Sequence, residues 1–484
     1  MDLSNKDYEK LKFKSGLEIH QQLDSKEKLF CNCPCILRKD DPDFEIKRNL
    51  HAVAGESGEI DVAVQYQTKL AKDFIYQGYK ENTCLVELDE EPPHEINQEA
   101  LKIAVQLGLL MDMKVLPITQ IMRKTVLDGS NVSGFQRTVM IARGGFITTS
   151  QGKVGIDYLY LEEDAARIVE RSDKREVYKL DRLGFPLVEV VTAPDIKNPE
   201  HAKEVALKIG DILRSCKVRR GIGTIRQDVN LSIREENRVE MKGMQNMGIF
   251  IKAIEIEIER QRKLSDSKKH VKMEVRKVLP DASSEFMRPL PGSARMYPET
   301  DLPLLKISKS FLDEAKKTLP RPREEIKIEL KEKGLSEEMI KLLFKQNKLE
   351  LFKELLKVLN RGHLIAKTIL IFPKEIAKKQ EKDLGKVEKV LEDNYNTVLD
   401  LVKKKEISEG DVKEVLNRIV KGEKIDGILK TEKIDLGSIE EKVMKLIKSK
   451  PGLRENAYMG MVMKEFKGQV NGQKVMELIK KYLK

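Results

Sequence analysis

Residues 12–24 read KFKSGLEIHQQLD, and they sort by parity. Phe13, Leu17, Ile19 and Leu23 fall on odd positions, while Lys12, Lys14, Glu18, His20 and Gln22 fall on even ones. Side chains two apart in a β-strand point the same way, so the pattern predicts a strand with one apolar face and one that carries Glu18 beside His20. The stretch 225–234, IRQDVNLSIR, has the same build: Ile225, Val229, Leu231 and Ile233 oppose Arg226, Asp228, Asn230, Ser232 and Arg234. Shorter runs repeat it. Val239 and Met241 alternate with Glu240 and Lys242, and Val271, Met273 and Val275 alternate with Lys272, Glu274 and Arg276.

An antiparallel sheet with one wet face accounts for such alternation by itself. Against that plain reading stands the composition of the polar face: short acids, a histidine, an asparagine and arginines, where a merely solvated face favours Thr, Lys and Glu. If the four strands are neighbours, Glu18, His20, Asp228 and Glu274 supply oxygen and nitrogen ligands for a hard cation, and Arg226, Arg234 and Arg276 hold phosphates.

A chain of 484 residues exceeds what one core normally serves, which predicts about two to four domains. Charged residues make up 35% and aromatic residues 5%, with no Trp, so the cores must be built mainly from Leu, Ile, Val and Met. Lys and Arg outnumber Asp and Glu by 90 to 79, a surplus of +11 that suits a polyanionic partner, although a lysine-rich proteome produces the same excess. No stretch approaches the roughly 20 uncharged apolar residues of a membrane span. The N-terminus has neither an apolar signal core nor the arginine-rich form of a transit peptide, and an odd cysteine count of five argues for reduced thiols. A cytoplasmic protein with no membrane partner is the expectation.

Residues 1–304 alternate short strands with Gly and Asp turns. Apolar spacing predicts helices over 97–113 and 199–216, the second with Asn198 as N-cap. Between them, GIDYLYLEEDAARI is apolar up to Leu161 and then presents Glu162, Glu163 and Asp164, acids that suit either a solvated turn or a site. In KLDRLGFPLVEVVTAPDI, Glu189 lies within a run of valines, which is costly for a carboxylate unless it is paired or metal-bound. Four prolines in 287–303 mark the end of a first domain. Residues 305–440 are lysine-rich, with helical apolar spacing as in 339–359, and predict a bundle. The last 44 residues carry 11 Lys and Arg against four Glu, and Gly460, Gly468 and Gly472 punctuate them into a small three-helix tail. That charge is either a solvated helical face or a polyanion contact. The fold class is therefore α+β: a mostly antiparallel sheet domain with helices, an all-α domain and a small helical tail.

No phosphate-loop pattern and no G-x-G-x-x-G between strand and helix occurs, and the six histidines form no H-E-x-x-H. Cys31, Cys33 and Cys35, with Cys84 further on, can form a thiolate zinc site or simply be buried thiols, since C-x-C-x-C lacks the usual paired spacing.

With these residues in view, the chain resembles the kinase subunit of tRNA-dependent amidotransferases, the GatB/GatE family. GLEIHQQLDSKEKLFCNCP, YLEEDAARI, DRLGFPLVEVVTAPDI, RQDVNLSIR and VEMKGMQN match its pattern in order, and GMVMKEFKGQV is similar to its C-terminal YqeY-like module. CLVELDEEPPHEIN and RPLPGSARMYPETD look closer to the archaeal GatE branch than to bacterial GatB. GatE-type members carry an aspartyl-tRNA-synthetase-like insert before the RPLPG segment, yet here Val278 runs to Met287 with only a few residues between.

The resemblance implies a catalytic cradle domain (1–304), a helical domain (305–440) and a YqeY-like tRNA-binding tail (441–484). It implies a ligase that uses ATP and Mg2+ to phosphorylate the side chain of glutamate mischarged on tRNA(Gln), after which ammonia displaces phosphate. Carried over by motif, Glu18, His20, Glu162 or Glu163, Asp228 and Glu274 would bind the metal, with Lys242 beside Arg226, Arg234 and Arg276 for the nucleotide. Ammonia would come from an asparaginase-like amidase subunit of the GatD type, within a heterotetramer built on a homodimer. Two other functions fit the residues: a non-catalytic tRNA-binding scaffold whose acids are structural, and a metal-dependent hydrolase on the same face. ATP consumption that depends on Glu-tRNA separates them.

Overall fold

The computed structural model describes residues 3–50, 58–69, 72–292, 295–346, 348–425, 428, 436–465 and 472–483. It divides into two compact units, Met1–Glu324 and Glu325–Lys484. The first is built on strands β1 (Lys14–Gln22), β2 (Phe44–Arg48), β3 (Asp73–Gly78), β4 (Lys114–Val115), β5 (Ile118–Thr119), β6 (Ile121–Thr125), β7 (Phe135–Thr149), β8 (Gly152–Glu163) and β9 (Arg167–Arg171). It continues with β10 (Arg175–Lys179), β11 (Pro186–Thr192), β12 (Ile225–Ser232), β13 (Val239–Lys242), β14 (Glu274–Val278), β15 (Ser284–Pro289), β16 (Met296–Pro298) and β17 (Leu305–Lys306).

Eleven of these strands form one sheet in the order β15-β14-β13-β12-β1-β11-β8-β7-β6-β16, with β4 also on β7. β1 lies near its middle, between β12 and β11, and every pairing but β13 with β14 is antiparallel. The parity of β1 is realised directly. Leu17 and Ile19 are 1% and 0% exposed and join Val188, Val190, Val229 and Leu231 in the main core. Two short helices, α1 (Asn5–Lys10) and α2 (Val62–Thr68), precede the longer ones. Helices α3 (Gln98–Leu110) and α4 (Pro199–Leu213) pack against the apolar side of this sheet, and α5 (Phe250–Asp266) packs against α4. The side chain of Asn198 accepts from the His201 amide at 2.6 Å and Pro199 opens α4, so both N-terminal signals act where the sequence places them.

A smaller sheet, β2-β3-β10-β9, has its own core around Phe74, Tyr76 and Tyr178. Tyr76 and Tyr178 donate their hydroxyls to the carbonyls of Gly129 and Asp128 at 2.8 and 2.7 Å and so pin the loop that follows β6. Gly129 has φ +83°, and a Cβ there would lie 2.2 Å from the Phe74 ring, so the loop cannot carry a side chain at this point. The proline-rich segment is built into the unit. β16 pairs with β6, and Glu299 is buried between Arg123 and Arg137. Helix α6 (Lys309–Lys317) follows and packs on α3 through Lys102–Glu314 at 2.7 Å.

The second unit is helical. The spacing of 339–359 is divided between helices Glu337–Lys345 and Leu349–Val358, and Ser336 caps the first by accepting from the Met339 amide. Leu343, Phe352, Leu355, Ile365, Ile369, Val398 and Leu416 belong to its larger core. Helices Leu436–Ser449, Glu455–Glu465 and Gly472–Leu483 have a separate small core of Ile439, Val443, Tyr458, Val462, Val475 and Ile479. Gly468 lies outside the described residues.

Candidate functional site: a carboxylate-lined cleft on the polar face of the sheet

Register decides which polar side chains meet. Glu18 stands opposite Asp228, and His20 stands between Arg226 on β12 and Glu189 on β11. Beyond them Leu187 is opposite Glu162 on β8, and on the other side Asn230 is opposite Glu240 on β13. Glu18, His20, Glu162, Glu189, Asp228 and Glu240 share the face away from the helices and line a cleft of about 680 Å³.

The acids gather into two sets. His20, Glu162 and Glu189 have ligand atoms within 4.8 Å of one another, and so do Glu18, Asp228 and Glu240. In the first, His20 Nε2 lies 3.4 Å from Glu189 Oε2 and 3.7 Å from Glu162 Oε1, and Lys124 Nζ is 2.8 Å from Glu162 Oε2. In the second, Lys242 Nζ is 2.6 Å from both Asp228 Oδ2 and Glu240 Oε1, and Asn230 donates to Glu18 Oε1 at 2.9 Å.

Their electrostatics differ. Burial pushes the Glu18 carboxyl up to about 7, helped by the charges of Glu240 and Glu189 and opposed by Lys242. Burial also acts on Glu189, but Lys124 and His20 outweigh it and hold that carboxyl well below its usual range. For His20, burial disfavours the cation, yet the hydrogen bond and charge of Glu189 and the charges of Glu162 and Asp228 raise its pKa.

The three consecutive acids after Leu161 diverge, as successive strand residues must. Glu162 faces the cleft. Glu163 turns to Arg137, accepting from its backbone amide at 3.1 Å and facing its guanidinium at 3.4 Å, and burial raises its carboxyl. Asp164 accepts from Arg226 at 2.7 Å and from Gln22 at 2.5 Å, and burial of its carboxyl is outweighed by Arg226 and Arg182, which lower it.

Three residues expected on this face lie elsewhere. β13 and β14 are parallel, and Glu274 is in register with Val239, a core residue, so it takes the helix side. There Arg260 of α5 lies 3.1 Å and Arg276 lies 2.9 Å from Glu274 Oε1, and Arg276 also donates to Ser284. Arg234 follows the end of β12 with φ +54° and pairs with Asp266 at 2.5 Å. None of the three lines the cleft. Arg226 and Lys242 do.

Reasoning from sequence leaves out Glu240, Lys124 and three arginines, Arg238, Arg288 and Arg295, that line the same cleft. Glu240 alternates in VEMK and Glu189 is the odd residue among valines, so both carry a signal; the arginines come from turns and the proline-rich segment and carry none. The guanidinium of Arg295 is lowered by burial and by neighbouring Arg288, an arrangement that a bound anion would relieve. Carboxylate oxygens with one imidazole suit a hard divalent cation, and arginines suit phosphate.

The cysteines form a second cluster. Cys31, Cys33, Cys84 and Glu87 bring their ligand atoms within 4.8 Å of one another. Cys31 Sγ donates to Glu87 Oε1 at 3.0 Å, the Cys84 amide donates to Glu87 Oε2 at 2.7 Å, and buried Lys28 lies 2.9 Å from Oε1. Hydrogen bonds from Cys31 and Cys33 hold the Cys84 thiol far below its ordinary range, and the shared protons push Cys31 up. Cys35 is not in the set: its sulfur sits 3.7 Å from Ser25 Oγ, and Glu87 takes the fourth position. Three sulfurs and a carboxylate are an acceptable donor set for tetrahedral zinc.

Residues 13–313 match the GatB/GatE catalytic domain model and residues 350–483 match the GatB domain model. The chain is 36% identical to a protein of Methanocaldococcus jannaschii named as the E subunit of glutamyl-tRNA(Gln) amidotransferase, over 99% of each chain. It is 34% identical to the protein of the same name from Methanosarcina barkeri over 99% of this chain and 98% of the relative, and 33% identical to that of Archaeoglobus fulgidus over 99% of each. The first alignment runs over 635 positions against a chain of 484 residues, so that relative carries internal residues absent here. A catalytic-domain match over most of the first unit, and relatives at this identity along the whole length, show that the chain belongs to the GatB/GatE family.

Proposed function

We propose that this chain is the activating subunit of a glutamyl-tRNA(Gln) amidotransferase, the name its relatives carry, and that it converts Glu-tRNA(Gln) to Gln-tRNA(Gln) with ATP. A carboxylate is a poor electrophile because it has no leaving group. Transfer of the ATP γ-phosphoryl group to a side-chain oxygen of the tRNA-bound glutamate gives an acyl phosphate and ADP. Ammonia then adds to the carbonyl carbon, phosphate departs with the C–O bonding electrons, the nitrogen gives up one proton, and the amide remains.

The observation that carries this reading is the pairing of two cation-ligand sets with arginines in one cleft, since phosphoryl transfer is mainly a matter of positioning and charge neutralisation. Magnesium held by Glu18, Asp228 and Glu240 and by His20, Glu162 and Glu189 would neutralise phosphate charge there. Arg238, Arg288 and Arg295, with Arg226 oriented by Asp164, would bind the phosphates. Zinc at Cys31, Cys33, Cys84 and Glu87 would tie the segment after β1 to the loop that carries Cys84, a structural role. The +7 charge of residues 441–484 supports contact with tRNA phosphates.

Release of ammonia from an amide needs an activated nucleophile. Among the described residues the cysteines lie in the Glu87 cluster, beside Ser25, or buried at Cys216. This supports dependence on a separate amidase subunit, asparaginase-like and of the GatD type, in a heterotetramer around a homodimer in the cytoplasm. No described helix is long and apolar enough to cross a membrane. With ATP, MgCl2 and Glu-tRNA(Gln), the purified chain should form Gln-tRNA(Gln) from ammonium chloride and none from glutamine or asparagine. Efficient use of either amide by the chain alone would overturn the dependence on a partner. Absence of any Glu-tRNA-dependent ATP consumption would favour the scaffold.

A further inference from the structure

Each carboxylate set already contains a cation supplied by the chain. Lys124 Nζ lies 2.8 Å from Glu162 Oε2 and 3.5 Å from Glu189 Oε2, and Lys242 Nζ lies 2.6 Å from one oxygen each of Asp228 and Glu240. The oxygens a divalent ion would use are therefore engaged by an ammonium group. We propose that Lys124 and Lys242 are displaceable counter-ions, which hold the two sets together in the ion-free protein, yield to divalent cations, and then turn to phosphate in the same cleft. The proposal rests on the reading of these sets as cation sites.

Five carboxyl groups on one sheet face repel one another, and two lysines offset part of that charge. A divalent ion offers the same oxygens twice the charge of an ammonium and prefers several carboxylate oxygens at once, so it competes well for them. It cannot share them comfortably with a cation a few ångströms away, so a lysine must leave or the ion binds weakly. Both side chains have somewhere to go: each lines the cleft, with 13% and 29% of its surface open. The cleft is also where Arg238, Arg288 and Arg295 converge. A phosphate bound among them gives the released ammonium a new partner, which makes ion binding and phosphate binding mutually favourable by linkage. The sets are unequal. Lys242 makes two contacts of 2.6 Å and Lys124 only one below 3 Å, so the set of His20, Glu162 and Glu189 should fill first.

Mn2+ titrated into the full chain, with the free ion read by electron paramagnetic resonance, tests this without any turnover. The wild type should bind two ions of unequal affinity, and Lys242→Met should tighten the weaker one at least tenfold, with Lys124→Met acting on the stronger. In the unaltered chain, acetylation of Lys124 and Lys242 by a soluble active ester, followed by mass spectrometry, should accelerate severalfold on adding Mg2+, while that of Lys153 stays constant. Two-ion binding that neither substitution tightens, or lysine reactivity indifferent to Mg2+, would overturn the displacement while leaving the cation sites intact. Failure of the wild type to bind Mn2+ at all would overturn both the displacement and the assignment of the face.

Discussion

Replacing Asp228 by asparagine keeps the shape of the side chain and removes one charge from the centre of the cleft. Two consequences can be separated. The structural one is bounded by geometry: Lys242 loses a partner at 2.6 Å but keeps Glu240 at the same distance, so no ammonium is left stranded. The loss of stability should then be about 1–3 kcal/mol, the range for one charged hydrogen bond, and should fall short of the roughly 3–5 kcal/mol that follows when a buried charge loses its only partner. The catalytic consequence is larger. Weakening the hold on a cation that would neutralise phosphate charge should cost about as much as losing one preorganised electrostatic group, about 3–4 kcal/mol in the transition state or roughly 10²–10³ in rate. Glu-tRNA-dependent phosphate release from labelled ATP reads the rate, and thermal unfolding followed by circular dichroism reads the fold. Glu274→Gln is the matched control. It sits on the helix side between Arg260 and Arg276, so it should lower stability by a similar amount and leave phosphate release within about threefold of wild type. Near-normal phosphate release by the Asp228 variant, or an equal collapse in the Glu274 variant, would refute the placement of the chemistry on the polar face.

Cys31→Ser and Glu87→Ala should each abolish bound zinc and lower the unfolding temperature, whereas Cys35→Ser should retain full metal content by mass spectrometry; equal zinc loss in all three would contradict the four-residue set. Deleting residues 441–484 should weaken tRNA binding and flatten its salt dependence by about 0.9 per lost phosphate contact in the logarithmic slope, and an unchanged slope would leave that charge as a solvated face. Asp164 has a lowered folded-state pKa, so its contribution to stability is present above about pH 4 and drains away as pH falls through that lowered value. Asp164→Asn should therefore flatten the acid limb of a denaturant-midpoint profile, and a parallel curve would show that the Arg226 pair contributes nothing to folding.

Parity made much of this molecule readable, because period two is written into any strand with one buried face. Glu18, His20, Arg226 and Asp228 lie in the cleft for that reason. Parity alone does not say which side of a second strand matches the first, and Glu274 and Arg276 show the cost: their strand enters parallel, with a register shift after Val275 against β15, and carries both to the helices. The cysteines illustrate a different limit. C-x-C-x-C invites a strand's alternation, but the chain turns there, with a bridge between Glu27 and Pro34, so Cys35 departs and Glu87 arrives from a loop that no local pattern connects to it. Helices α3 and α4 were legible from their spacing, and Asn198 and Pro199 act within a single turn of α4, whereas α5, which starts after Ile249 with no side-chain cap, was not. Arg238, Arg288 and Arg295 were not either: Arg238 and Arg295 lie outside the strands and are aimed by tertiary structure alone, and Arg288 sits on β15 in the proline-rich segment, which shows no alternation.

If this chain by itself turns the side chain of tRNA-bound glutamate into an acyl phosphate, hydroxylamine will trap that group. With Glu-tRNA(Gln), ATP, Mg2+ and hydroxylamine, and neither any other nitrogen donor nor a second protein, the chain should yield the γ-hydroxamate of glutamate in an amount that matches the phosphate released. ATP cleavage without γ-hydroxamate, or γ-hydroxamate that forms equally well without ATP, would contradict it.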